Sequence, residues 1–190
     1  MTANRIVTPY EGTGERDWDP QAPIPAPLEL HRTPVRTEWV DYNGHMSESC
    51  YLQVFGDNSD AFFRYLGIGE RYRAAGHSLF TVETHLHHLR EVSADEPLRL
   101  LLRLLDHDRK RLHVFHEMRH GGTDLLLATA EQLLVHVDTA AGRSAPLPDE
   151  LLQRVDAVAR SHAALVAPDA VGRPIGIRRG GGADGVRADR

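Results

Sequence analysis

Cysteine is almost absent from this chain: Cys50 is the single thiol among 190 residues. One thiol cannot close an internal disulfide, which excludes a disulfide-framed fold and fits a reducing cytoplasm. Long apolar runs are also missing, so no membrane-spanning helix is expected. The N-terminal stretch MTANRIVTPYEGTGERDWDPQ carries no apolar core, and no signal peptide is expected there. Positive charge is in deficit, with a formal net charge of −5, which argues against a nucleic-acid partner. No internal repeat is visible. What remains is 41% hydrophobic and 26% charged residues, the balance of one soluble globular domain with a core of ordinary size.

Residues 1–26 hold Gly, Pro and charge without a period and end in PQAPIPAP, which reads as a mobile or loosely packed arm. Residues 168–190 are Gly- and Arg-rich and read as a disordered tail. The folded domain is expected over 27–167. Within it, PLELHRTPVRTEW (27–39) predicts one strand or two short ones around Pro34. The spacing of Tyr51, Val54, Phe55, Phe62, Tyr65 and Leu66 predicts a helix over 48–66, stopped by Gly67 and weakened by about 1 kcal/mol at Gly56.

Four strands follow, at 79–92, 97–105, 111–120 and 125–138. In the first, Phe80, Val82, Thr84 and Leu86 are expected to share a face, with a bulge where the alternation slips after His87. Pro148 and Asp149 open a last helix. Consecutive strands joined by tight turns imply an antiparallel sheet, so the fold class is α+β, with the long helix buried against the sheet. The strand at 125–138 is apolar on both faces, so a second subunit is expected on its other face or at the sheet edge.

The most unusual stretch is VDYNGHMSESCYLQVFGDNSDAFF, residues 40–63. It sets Asp41 just ahead of a glycine turn that opens a helix. A helix start offers unpaired backbone N–H groups and the positive end of the helix dipole. Glycine lets the backbone approach a ligand closely. A carboxylate there stands as a base or nucleophile ahead of a ready-made site for an oxygen that becomes negative. Asp41 also has a plain reading, as a cap of the turn or helix.

Asp41, Gly44, His45 and Tyr51, with the element order over 28–150, resemble the hotdog-fold thioesterases of the 4-hydroxybenzoyl-CoA thioesterase type. The segments WVDYNGHMSESCYLQVFGD, AAGHSLFTVETHLHHLRE, KRLHVFHEM and LLATAEQLLVHVDTAAGRSAP look like betainyl-CoA thioesterases of carnitine breakdown. Some of those are fused behind an L-carnitine dehydrogenase domain. This chain shows no Rossmann fingerprint, so the stand-alone form is expected. The resemblance implies a hotdog fold, an antiparallel sheet wrapped around the long helix. It implies hydrolysis of betainyl-CoA to glycine betaine and CoA, no metal and no cofactor. It also implies a homodimer or homotetramer with its sites at the subunit interface.

It further implies Asp41 as base or nucleophile and the backbone N–H of Glu48 as oxyanion donor. Asn43 either orients a water or holds the turn. His45 either titrates near neutral pH or packs at the helix start. A trimethylammonium substrate suits aromatic faces, for which Trp39, Tyr42 and Phe80 are candidates, with Glu83 as counter-charge and Gly44 and Thr81 nearby. CoA phosphates need donors, for which Arg90, Arg109, Lys110 and Arg111 are candidates. Glu131 and Gln132 lie on a strand within reach.

The histidines invite a metal reading, since His85 and His87 share a strand face and His113, His116, His120 and His136 follow. No H-E-x-x-H pattern accompanies them, and surface or interface roles are expected. Two rivals share the fold. A hotdog enoyl-CoA hydratase would place its histidine five residues after its Asp, where this chain has four, and a non-catalytic acyl-CoA-binding protein would bind without turnover.

Overall fold

The computed structural model describes residues 7–14 and 16–176. The parts of the expected arm at 1–6 and 15, and of the expected tail at 177–190, lie outside the described residues. Strand β1 (Leu28–Pro34) leads through a 3-10 turn (Thr37–Trp39) to helix α1 (Glu48–Leu66) and the short α2 (Glu70–Ala74). Strands β2 (His77–His88), β3 (Pro97–His107), β4 (Arg111–His120) and β5 (Leu126–Asp138) follow. The two-residue β6 (Arg143–Ser144) and α3 (Asp149–His162) complete the order. The sheet runs β1-β3-β4-β5-β2 with every pairing antiparallel, and β6 adds to the end of β5. This is the expected hotdog arrangement. Among the described residues no helix is long and apolar enough to cross a membrane.

Helix α1 forms where its apolar spacing predicts. Gly67 ends it in the left-handed region at φ +90°, and the Ile68 N–H reaches back to the Phe63 carbonyl at 2.8 Å, a Schellman closure. The helix buries one stripe in two apolar clusters. Phe62 and Leu66 pack with Leu102, Val114 and Leu134, and with Leu151, Val155 and Val158 of α3. Tyr51, Val54 and Phe55 pack with Trp39, Met46, Leu100, Met118 and Ala130.

Between the clusters runs one polar layer. Asn58 and Ser59 come from α1, His116 from β4 and Gln132 from β5, and all four are buried. Asn58 Nδ2 donates to His116 Nδ1 at 2.9 Å, and Ser59 Oγ donates to Gln132 Oε1 at 3.0 Å. Accepting at Nδ1 places the His116 proton on Nε2.

Strand β2 differs from the expected pattern. Its register against β5 shifts between Thr81 and Glu83, with Val82 as the extra residue. The shift moves Phe80 and Val82 to the outer side, where they are 53% and 57% exposed, while Thr84 and Leu86 face α1. The four therefore do not share a face, and Leu79 is the buried residue at the strand's start. Past His87, the Leu89 and Arg90 N–H groups both donate to the Leu127 carbonyl, at 2.9 and 3.0 Å, which accounts for the slip read there.

Residues 7–14 and 16–26 make defined contacts. Thr8 Oγ1 donates to Asp60, the Tyr10 hydroxyl lies 2.7 Å from His31 Nδ1, and Trp18 packs edge-on against Tyr65. Ser161 Oγ and His162 Nε2 donate to the Ile24 and Pro25 carbonyls at 2.8 and 3.1 Å.

Burial keeps the core imidazoles neutral: His31 and His116 are each lowered to about 4, and His136 and His162 are lowered too. Burial acts the other way on Asp57, raising it to about 6, with Asp60 adding and Arg36 opposing. The unfolded chain protonates its histidines near 6.5, which the folded chain resists, so stability falls as pH falls from about 6.5 toward 4. Asp57 offsets part of this, because the folded state holds its proton up to about 6. Urea midpoints should therefore be lower at pH 5 than at pH 7.5, and Asp57→Asn should enlarge the drop; an equal or higher midpoint at pH 5 in the unaltered chain would contradict this. Asn58→Ala strands His116 Nδ1 in the core and should cost about 1–3 kcal/mol in the same unfolding measurement.

Candidate functional site

The chain turns back on itself ahead of α1. Val40 bridges Met46, the Asp41 N–H donates to the His45 carbonyl at 3.0 Å, and the Gly44 N–H donates to the Asp41 carbonyl at 3.0 Å. Gly44 closes this loop at φ +81°, a region where a side chain is strained. The loop is pinned outside as well: the Met46 N–H donates to the Val92 carbonyl at 2.9 Å and the Ser47 N–H to the Trp39 carbonyl at 2.8 Å.

The Asp41 carboxylate does two things. Its Oδ1 accepts the Asn43 N–H at 2.8 Å, an Asx turn, so the plain role is real. Its Oδ2 has no hydrogen-bond partner among the described residues. Six residues farther on, Ser47 is the N-cap of α1, and its side chain makes no capping bond. The amides of the first turn, beginning at Glu48, are therefore left without the side-chain acceptor that usually satisfies them. A half-exposed carboxylate with one free oxygen thus precedes an uncapped helix start in the chain.

Around this turn the structure gathers some of the expected residues. His45 Nδ1 lies 3.7 Å from Glu91 Oε2. Tyr51 is buried, as expected of a core position, and its hydroxyl donates to the Arg90 carbonyl at 3.2 Å. The loop Arg90–Val92 is thus a wall of the site. Glu91 and Val92 were missed as site residues in the sequence, where they read as the end of the strand over 79–92; the strand stops at His88.

Other candidates are placed elsewhere. Trp39 is buried, and the Arg36 guanidinium lies 4.9 Å from its ring centroid, covering the face a substrate cation would need. Tyr42 is 97% exposed. The Val82 bulge separates Thr81, which stays on the helix side opposite Leu134, from Glu83, which turns outward with Phe80. Arg111 is held by Asp108, whose carboxyl the guanidinium lowers to about 2. Arg109 and Lys110 are exposed on the same turn.

That basic turn lies far from Arg90. Arg111 pairs with Val135, while Arg90 bonds Leu127 on the same strand. Eight residues of strand at about 3.3 Å each put them roughly 26 Å apart along the sheet. One chain does not bring Arg109, Lys110 and Arg111 to Asp41. Gln132 is committed to Ser59, and Glu131 to His113 at 2.7 Å and the Gly172 N–H at 2.8 Å. Cys50 is a free, half-buried thiol. Among the described residues no three or more His, Cys, Asp and Glu side chains gather where they could hold a metal.

A cavity of about 820 Å³ lies elsewhere, on the outer face of β2, β4 and β5. Glu83, His85, Arg111, His113 and Glu131 line it, with residues 172–175 as its far wall. Asp41 is not among its lining residues.

Comparison with known proteins agrees with the fold. The chain is 44% identical over 180 residues to an L-carnitine dehydrogenase/betainyl-CoA thioesterase of Rhizobium meliloti, covering 93% of this chain and 36% of that protein. It thus spans little more than a third of that fused relative. A betainyl-CoA thioesterase of Pseudomonas aeruginosa is 46% identical over 151 residues, 79% of this chain and 95% of that protein. Among solved structures, a candidate thioesterase from Pseudomonas putida is 34% identical with a TM-score of 0.71, covering 83% of this chain and all, 100%, of that one. A Staphylococcus aureus protein solved in complex with CoA shares the fold at 24% identity and a TM-score of 0.75, covering 83% of this chain and 100% of that one. Residues 35–155 match the family profile itself, and they contain the Asp41 turn, helix α1 and the whole of strands β2 to β5: the chain belongs to the Thioesterase-like superfamily.

Proposed function

We propose that this chain hydrolyses an acyl-CoA thioester, with betainyl-CoA as the substrate and glycine betaine and CoA as products. The observation that carries the reading is a turn whose Asp41 Oδ2 is free, followed directly in the chain by the uncapped start of α1. The identity to the Pseudomonas aeruginosa betainyl-CoA thioesterase, over 95% of that protein, supports the choice of acyl group.

The thioester carbonyl oxygen accepts the Glu48 N–H, where the helix dipole favours the negative charge that develops on it. Asp41 either takes a proton from the attacking water or attacks the carbonyl itself to give a mixed anhydride that water then cleaves. Both routes use the same free oxygen, and in both the CoA sulfur leaves with the bonding electron pair. Asn43 and Gly44 hold the Asx turn that aims the carboxylate. His45 packs against Glu91 and buttresses the loop.

The site is completed by a second copy of the chain in this reading. Strand β2 is an unpaired sheet edge with Phe80 and Val82 exposed on it. Such an edge is a template for pairing. Antiparallel pairing of two β2 strands sets the Phe80 end of one copy beside the Arg90 end of the other. Phe80 and Glu83 of the second copy then join Tyr42 in a cage for the trimethylammonium group, and its Arg109 and Lys110 join Arg90 at the CoA phosphates. Trp39 is left out of the cage, since Arg36 holds its face.

CoA release should be fast with betainyl-CoA and much slower with acetyl-CoA or 4-hydroxybenzoyl-CoA. Asp41→Asn, which keeps the oxygen that accepts the Asn43 N–H, should lower kcat by about 10²–10⁴-fold with an unchanged circular dichroism spectrum. Comparable release from acetyl-CoA would remove the cation cage, and an Asp41→Asn enzyme with normal kcat would remove Asp41 from the chemistry.

A further inference from the structure

On the outer face of β2, away from the Asp41 turn, two imidazoles converge. His85 and His87 are two residues apart, so the pleat points both to one side. Their Nε2 atoms are 3.2 Å apart, with ring centroids at 4.4 Å and planes at 77°. Two nitrogens bound to one tetrahedral zinc at about 2.0–2.1 Å stand roughly 3.3 Å apart. The observed spacing is within about 0.1 Å of that value. The rings already hold the nitrogen separation that a chelate requires, and a small rotation of each aims both nitrogens at one ion.

We infer that His85 and His87 form a two-nitrogen chelate for a divalent cation of the zinc, nickel or copper class. Imidazole is a favoured ligand for these ions and a poor one for magnesium or calcium. The proton that one ring places between the two Nε2 atoms moves to Nδ1 of that ring when the ion arrives. A neutral imidazole carries its one proton on either nitrogen, so no net charge change is needed. Water fills the remaining positions, consistent with the absence of a third converging ligand among the described residues. Glu131 lies directly across from His85 in the β2–β5 register, but His113 and the Gly172 N–H already hold its carboxylate. The Val82 bulge makes the site possible: the extra residue puts Glu83, His85 and His87 on the outer face together.

The test reads metal binding directly and does not depend on activity. Chelator-stripped protein is titrated calorimetrically with NiCl₂ and with ZnCl₂ at pH 7.5, alongside His85→Gln, His87→Gln and His107→Gln. His107 is engaged with Asp156 at 2.7 Å and serves as the control. One ion per chain should bind, and each of the first two variants should weaken binding about 10²-fold, because the second ligand acts at high effective concentration. The His107 variant should bind as the parent does. Unchanged melting temperatures without metal show that the variants fold. No saturable binding, or loss of binding in only one of the His85 and His87 variants, would overturn the chelate.

Discussion

The buried bond between Asn58 and His116 is the constraint on which the rest of this structure depends. The apolar residues of α1 could slide along the sheet at little cost, since leucine, valine and phenylalanine fit one another in many registers. Polar groups in the core cannot. Asn58 and Ser59 must meet His116 and Gln132, or each is left without a partner in a dry interior. One polar layer therefore fixes how far α1 lies along the sheet, much as a single buried asparagine fixes the register of a coiled coil. The layer is neutral as well, because burial holds His116 far below its usual titration range.

Fixing α1 fixes its N-terminus. From Asn58 back to Glu48 is ten residues, about 15 Å of helix, and that length carries the uncapped first turn to the loop at Asp41. The loop is set independently by Val92 and Trp39, whose carbonyls hold Met46 and Ser47. The turn that carries the carboxylate and the helix start that follows it are thus held by two separate sets of bonds. The acyl and CoA ends have no such placement within one chain, where β2 ends in an open edge and the basic 109–111 turn stands at the far end of the sheet.

Much of this was legible in the residues. The α1 spacing, the Gly67 stop, the four long strands and the Asp41-Gly44 turn leave local signals that do not depend on the rest of the chain. The face assignment in β2 failed because Val82 continues a regular alternation, and nothing in FTVETHL marks the bulge; the bulge follows from pairing with β5. Trp39 read as a ligand because it adjoins the motif, whereas its burial and its Arg36 cover come from tertiary packing. Arg90 and Arg109–Arg111 read as one group because composition carries no distance. His116 and Asn58, 58 residues apart, could not be paired by any periodicity.

The central claim is that the thioester carbonyl sits at the start of α1 and not in the outer-face cavity. The most direct measurement is the amide NMR spectrum of the ¹⁵N-labelled protein with and without a non-hydrolysable thioether analogue of betainyl-CoA. The account predicts that the largest shifts and new exchange protection fall on Glu48 and Ser49, with Asn43 and Gly44 following. Shifts confined to Thr84, His113 and Glu131, with Glu48 unmoved, would place the ligand in the cavity and contradict it.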